Sequence, residues 1–150
     1  MNFSVLMSIY FKEKPSNFNR AMQSIWDEQS IKPSEIVLVE DGKLTDELYS
    51  AINLWKERLG HNLKVIKLKE NLGLGDALAM GLKECNFALV ARMDSDDISL
   101  PKRFEKQLEI FRISENIDIC SSWISEFETD ESNVYAYRKL PESHNDIDRK

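Results

Sequence analysis

Four times from the N-terminus, a short β-rich run is followed by a segment whose apolar residues recur at helical spacing. This alternation confines the chain to βα units around a largely parallel sheet. Phe3-Ser-Val-Leu-Met-Ser-Ile-Tyr10 reads as a buried first strand, and the helix after it carries Phe18, Ala21, Met22, Ile25 and Trp26 on one face, with Ser16 as N-cap. Glu35-Ile-Val-Leu-Val39 is the second strand; Asp41-Gly42 turns the chain into a helix capped at Thr45, with Asp46 and Glu47 in its first turn and a stripe of Leu48, Ile52, Trp55 and Leu59. Leu63 to Leu68 is the third strand, followed by Asn71-Leu72-Gly73-Leu74-Gly75 and a helix expected to bury Ala77, Leu78, Gly81, Leu82 and Cys85. The fourth strand, Phe87 to Met93, leads into the acidic turn Met93-Asp94-Ser95-Asp96-Asp97. Ser99 and Pro101 then supply the cap and first position of a helix burying Phe104, Leu108 and Phe111. Beyond it, Ile117 to Ser122 and Val134 to Leu140 read as strands joined by the polar loop Glu126 to Asn133. The polar tail from Pro141 to Lys150 has no closing element, as in a chain cut short.

With 150 residues, 42% hydrophobic and 31% charged, the chain suits one soluble domain with an ordinary core. A net charge of −6 argues against a nucleic-acid surface, which needs a basic patch to displace counterions. An anionic ligand would therefore need a metal cation. No apolar run approaches the ~18 residues of a membrane helix. The stretch from Phe3 to Phe11 lacks a preceding basic segment and carries Ser4, Ser8 and Tyr10, which makes a poor signal peptide and points to the cytoplasm. Cys85 and Cys120, far apart and without a histidine pair nearby, read as buried reduced thiols.

In an open parallel sheet, ligands bind beyond the carboxyl ends of the strands. Those ends are Ser8-Ile9-Tyr10, Glu40-Asp41, the residues before Asn71, and Asp94 to Asp97. Asp94 and Asp96 flank one residue at a strand exit, where two carboxylates converge. Mg²⁺ or Mn²⁺ takes one or two carboxylates and completes its shell with water and phosphate oxygens. Such an ion would bridge a diphosphate and neutralise its charge as it leaves. A solvated turn is the plainer reading of an Asp/Ser cluster. The position directly after an apolar strand favours a metal, because three clustered carboxylates repel one another without a counterion. Arg92 is the internal competitor, through a salt bridge to one of them. Asp41 is placed to accept from a base's ring N–H and Tyr10 to stack on or border a base, although an ordinary turn and a half-buried strand end explain them equally well. The loop from Asn71 to Gly75 matches no phosphate-binding fingerprint and indicates close backbone approach. His61 and His144 read as surface residues, Trp26 and Trp55 as core, and no nucleophilic relay is visible.

Four segments in this order resemble the N-terminal part of family 2 glycosyltransferases of the GT-A fold, of the bacterial exopolysaccharide and lipopolysaccharide type. They are Phe3 to Tyr10, Glu35 to Gly42, Asn71 to Ala77, and Ala91-Arg-Met-Asp-Ser-Asp-Asp-Ile-Ser-Leu-Pro-Lys-Arg103. The resemblance implies a Rossmann-like, mostly parallel α/β sheet flanked by helices, and inverting transfer from a nucleotide-diphosphate sugar to a saccharide or lipid-linked acceptor. It implies that Ser8, Tyr10 and Glu13 line the nucleotide pocket and that Asp41 reads the base, with Asn71 and Asp76 alongside. Asp94 and Asp96 match the family's D-x-D motif, Asp96 as the direct metal ligand and Asp94 as a ribose or supporting contact. The sequence departs from the pattern at Ser8, where Thr is common, at Glu40, where many members have Asp, at Asp76, where a basic residue is frequent, and at Ala79, often Asn. The family's catalytic carboxylate has no match and is expected beyond Lys150. Residues 1–150 are thus expected to be the donor-binding portion of a longer parent that associates with the cytoplasmic membrane face. A receiver-like signalling module is the rival class, but it wants its acid pair after the first strand, where Ser8-Ile9-Tyr10 stands. A truncated homologue kept for interaction, such as a homodimer through the sheet's exposed end, is the third reading.

Overall fold

Strands β1 (Ser4–Ile9), β2 (Glu35–Glu40), β3 (Leu63–Lys67) and β4 (Val90–Asp94) form one parallel sheet in the order β3-β2-β1-β4. The computed structural model describes residues 1–114 and 116–139, in two units divided between Leu108 and Glu109. Helices α1 (Pro15–Trp26), α2 (Asp46–Leu59) and α3 (Leu74–Leu82) make the crossovers that parallel pairing requires. A 3-10 turn, Gly60–Asn62, links α2 to β3, and α4 (Arg103–Ile113) follows β4. In the second unit β5 (Ile124–Glu126) and β6 (Ala136–Arg138) pair antiparallel.

The central strands are apolar on both faces, as burial under helices on each side demands. Val5, Met7, Ile9, Ile36 and Leu38 pack with Phe18, Met22 and Ile25 of α1 and Leu48, Ile52 and Trp55 of α2. The alternate residues Leu6, Val37 and Val39 pack against Ala77 of α3. This period of two fixes the register, since a one-residue slip would exchange the two faces. Ser4 pairs with Glu35 and Ile9 with Glu40 across β1–β2, while Ser8 pairs with Asp94 across β1–β4. The register thus brings the carboxyl ends of three strands level. Helix α3 approaches the sheet through Gly81, where an added Cβ would lie 2.5 Å from Val39 Cγ2 and 2.6 Å from Leu6 Cδ1.

At the opposite end of β2, Glu35 is a buried junction. It accepts from Ser4 Oγ, Asn86 N–H and Asn86 Nδ2, each at 2.6 Å. Burial pushes its carboxyl up, but these hydrogen bonds, together with Lys64, outweigh burial and hold it below the ordinary glutamate value.

Several boundaries differ from the sequence reading. Helix α1 starts with Lys14 as N-cap and Pro15 at its first position, not with Ser16; proline's fixed φ and missing N–H suit that position. Thr45 caps α2 as expected, its Oγ1 accepting from Leu48 N at 3.3 Å. Of the expected α3 stripe, Ala77 and Gly81 are buried and Leu78 and Cys85 pack half-buried against the same cluster, whereas Leu82, where the helix ends, is 53% exposed and Cys85 lies beyond the helix. Strand β4 begins at Val90 rather than Phe87, and α4 begins two residues after Pro101 with Phe104 as its buried anchor. No strand forms over residues 117–122; the pairing partner of β6 is Ile124–Glu126, which ends on the first residue of the stretch read as a polar loop. Cys85 and Cys120 are half-buried rather than buried. Leu140, the tail and His144 lie outside the described residues.

Candidate functional site

A cavity of about 430 Å³ opens at the carboxyl edge of the sheet. It is lined by Ser8 and Tyr10 from the end of β1, Glu13 from the following loop, Asp41 after β2, Asn71, Gly73 and Leu74 before and at the start of α3, and Asp94, Ser95 and Asp96 at the end of β4. Seven of the eight residues singled out from sequence therefore surround one space. The eighth, Asp76, is exposed in the first turn of α3 and is not among the lining residues. Gly73, Leu74 and Ser95 were not singled out. Ser95 carries its own signal, as the residue flanked by both carboxylates.

Asp41 is only 3% exposed. Its Oδ1 accepts from Leu72 N–H at 2.7 Å and its Oδ2 from Gly73 N–H at 3.0 Å. Asn71 Nδ2 donates to the Asp41 carbonyl at 3.2 Å. One carboxylate thus organises the loop that opens α3. Each of its oxygens keeps a second lone pair for a ligand. Gly42 makes the turn possible: its φ of +82° is left-handed, and a Cβ there would stand 2.7 Å from Asn71 N. The close backbone approach expected at Asn71 to Gly75 is therefore made by Gly42. Within the loop, Gly73 supplies a positive φ of +88° at the N-cap of α3, with open space around it.

The acidic turn is held from two sides. Ser95 Oγ donates to Glu13 Oε2 at 2.8 Å, and Asn17 Nδ2 donates to Glu13 Oε1 at 3.1 Å. Behind it, Ser99 N–H donates to Ser24 Oγ at 3.0 Å, and Gln29 Nε2 donates to the Leu100 carbonyl at 3.0 Å and to Ser99 Oγ at 3.2 Å. The C-terminal half of α1 and the loop after it thereby brace the exit of the turn. Arg92 pairs with Asp94, so the internal competitor expected from sequence is realised.

Burial, and then the charges of Glu13 and Asp94, push the Asp96 carboxyl above its ordinary value. Burial followed by Asp94 and Asp96 does the same at Asp97, offset in part by Arg92 and Arg103. Both side chains remain open to water, which tempers the effect. A cation would relieve this repulsion. Among the described residues no three His, Cys, Asp or Glu side chains form a ready ligand cluster. The donor set fits a hard ion that takes one or two carboxylates and leaves its other positions to water and diphosphate oxygens. Tyr10, 42% exposed, presents a ring at the mouth.

The sequence profile of glycosyl transferase family 2 matches residues 4–149. The chain is similar to the UDP-Gal:alpha-D-GlcNAc-diphosphoundecaprenol beta-1,3-galactosyltransferase of Escherichia coli, 42% identical over 97% of this chain and 51% of the relative. It is similar to the amylovoran biosynthesis glycosyltransferase AmsE of Erwinia amylovora, 41% identical over 97% of this chain and 53% of the relative. The chain thus spans about half the length of these relatives. Among solved structures, S. aureus TarS 1-349 in complex with UDP-GlcNAc resembles it with a TM-score of 0.64 and 26% identity, over 75% of this chain and 32% of that one. No helix among the described residues is long and apolar enough to cross a membrane.

Proposed function

Because this chain belongs to glycosyl transferase family 2, we propose that it is the donor-binding portion of an enzyme that moves a sugar from a nucleotide-diphosphate sugar to a saccharide or lipid-linked acceptor in cell-surface polysaccharide synthesis. The observation that carries this reading is the single cavity at the carboxyl edge of the sheet, into which Asp41, Asp94 and Asp96 converge from two different strand ends. A uridine nucleotide is the favoured donor, supported by the UDP-Gal named for one relative and the UDP-GlcNAc bound in the TarS structure. The diphosphoundecaprenol in that relative's name supports a lipid-linked acceptor.

In this reading Asp41 accepts from the base's ring N–H through its free lone pairs, Tyr10 borders the base, and Ser8, Glu13 and Asn71 complete the nucleotide pocket. Asp96 holds Mg²⁺ or Mn²⁺ and Asp94 supports it or contacts the ribose. The ion, when bound, supplies charge neutralisation for the departing diphosphate. Asp76 has no role here, given its place outside the cavity lining. Inverting transfer also needs a general base to deprotonate the acceptor hydroxyl opposite the leaving group. No cavity residue is assigned as that base.

Calorimetric titration of UDP, GDP and dTDP, each with and without Mn²⁺, tests the reading. Mn²⁺-dependent binding with UDP preferred is expected; absence of Mn²⁺-dependent binding of all three would contradict it.

A further inference from the structure

Arg92 and Asp94 stand two residues apart on β4, so their side chains share one face of the sheet. Arg92 Nη2 is paired with Asp94 Oδ1. The pair is partly open to water, with side-chain exposures of 53% for Arg92 and 32% for Asp94. The strand that carries it is pinned: Arg103 Nη2 donates to the Arg92 carbonyl at 2.8 Å, and Arg103 Nη1 donates to Met93 Sδ at 3.1 Å. Among the described residues Asp96 has no ion-pair partner, although its carboxylate lines the same cavity. Asp94 and Asp96 are therefore not equivalent. One already has a cation and the other has none.

We infer that Arg92 is a resident counter-cation that sets how tightly the acidic turn holds a divalent ion. It occupies Asp94 in the free protein, and an ion draws on the full charge of Asp94 only as the pair opens. The inference rests on the proposed site. A guanidinium and a divalent ion compete for the same carboxylate oxygens, and the attraction that either gains is reduced by the presence of the other. Removing the guanidinium while keeping the carboxylate should therefore tighten the metal site. Removing the carboxylate should abolish that response.

The test is titration with Mn²⁺ alone, followed by the relaxation enhancement of water protons. Arg92→Gln is expected to bind Mn²⁺ about two- to fivefold more tightly than the wild type, the range set by a partly exposed ion pair. Arg92→Lys, which keeps the charge, should stay within about twofold of wild type. In an Asp94→Asn background, Arg92→Gln should change the affinity by less than about twofold, because the two residues act as a coupled pair. Arg58→Gln, which removes the same charge from the distant pair with Asp27, controls for net charge. Equal Mn²⁺ affinity of wild type and Arg92→Gln, undetectable binding by both included, would overturn the inference. So would tightening that persists in Asp94→Asn or appears equally in Arg58→Gln. Failure of the donor-site reading shows elsewhere, as loss of Mn²⁺-dependent nucleotide binding in the wild type.

Discussion

Ser95 Oγ donates to Glu13 Oε2 at 2.8 Å, a hydrogen bond between residues 82 apart in sequence that ties the acidic turn after β4 to the loop after β1. Those are the two adjacent strand ends of the sheet, so this contact fixes the width of the cavity between them. Glu13→Ala removes the acceptor and frees the turn. We expect it to weaken Mn²⁺-dependent UDP binding by about three- to tenfold, with about 1 kcal/mol of stability lost. Glu13→Gln, which retains an acceptor for Ser95, should recover most of both. Calorimetry and urea unfolding read the two effects separately, and an unchanged UDP affinity in Glu13→Ala would remove Glu13 from the site.

Asp41 serves the fold as well as the cavity. In Asp41→Ala the N–H groups of Leu72 and Gly73 lose their acceptors at a nearly buried position, a cost of about 2–4 kcal/mol. Gly42→Ala should cost at least about 1–3 kcal/mol, since it combines a left-handed φ with backbone contact at Asn71. Urea denaturation checks both. A Gly42→Ala protein as stable as wild type would show that the loop relaxes away from Asn71.

Helix α3 tests packing against propensity. Gly81→Ala should gain about 1 kcal/mol in helix propensity, yet its Cβ meets Val39 Cγ2 and Leu6 Cδ1 at distances no methyl tolerates. Overpacking of about 1–3 kcal/mol should dominate. The expected result is net destabilisation, smaller in a Gly81→Ala, Val39→Ala double variant. A rise in Tm for the single variant would contradict the close packing of α3 on the sheet.

Glu35 sets an acid limit on stability. Its folded-state value lies below the ordinary 4.5, so the folded protein binds its proton less readily than the unfolded chain does. The stabilisation is complete above that ordinary value and is lost as pH falls through the lowered folded-state value. Glu35→Gln removes the charge that Asn86 and Ser4 serve. The variant should be less stable than wild type at about pH 7, with the gap closing as pH falls below the ordinary value of 4.5. A gap of constant size in unfolding measurements across this range would show that the charge of Glu35 contributes nothing.

The parallel sheet was legible in the sequence because each apolar run is followed by a helix stripe, and Thr45 announced its cap through Asp46 and Glu47 behind it. Knowing only that parallel sheets bind ligands at their carboxyl ends, one could select Ser8, Tyr10, Asp41 and Asp94 as neighbours without coordinates. Residue-level geometry was less accessible. Ser16 has the chemistry of a cap, but Pro15 beside it starts the helix two residues earlier than that cap would. The bonds from Leu72 and Gly73 to Asp41 span more than 30 residues and follow from tertiary approach, which no local pattern encodes. Likewise the glycine that permits this approach is Gly42, although the glycines of residues 71–75 look like the stronger signal. Residues 117–122 are apolar enough for a strand, yet the described structure pairs Ile124–Glu126 with β6 instead, because pairing depends on a partner in register.

The central claim is that the acidic turn holds a divalent ion which in turn holds the diphosphate. Calorimetric titration of UDP against wild type and Asp96→Ala, each with and without Mn²⁺, tests it most directly. The account predicts that Mn²⁺ tightens UDP binding to the wild type at least about tenfold and leaves Asp96→Ala unchanged, both proteins having the same unfolding free energy within about 1 kcal/mol. An equal response to Mn²⁺ in the two proteins would contradict it.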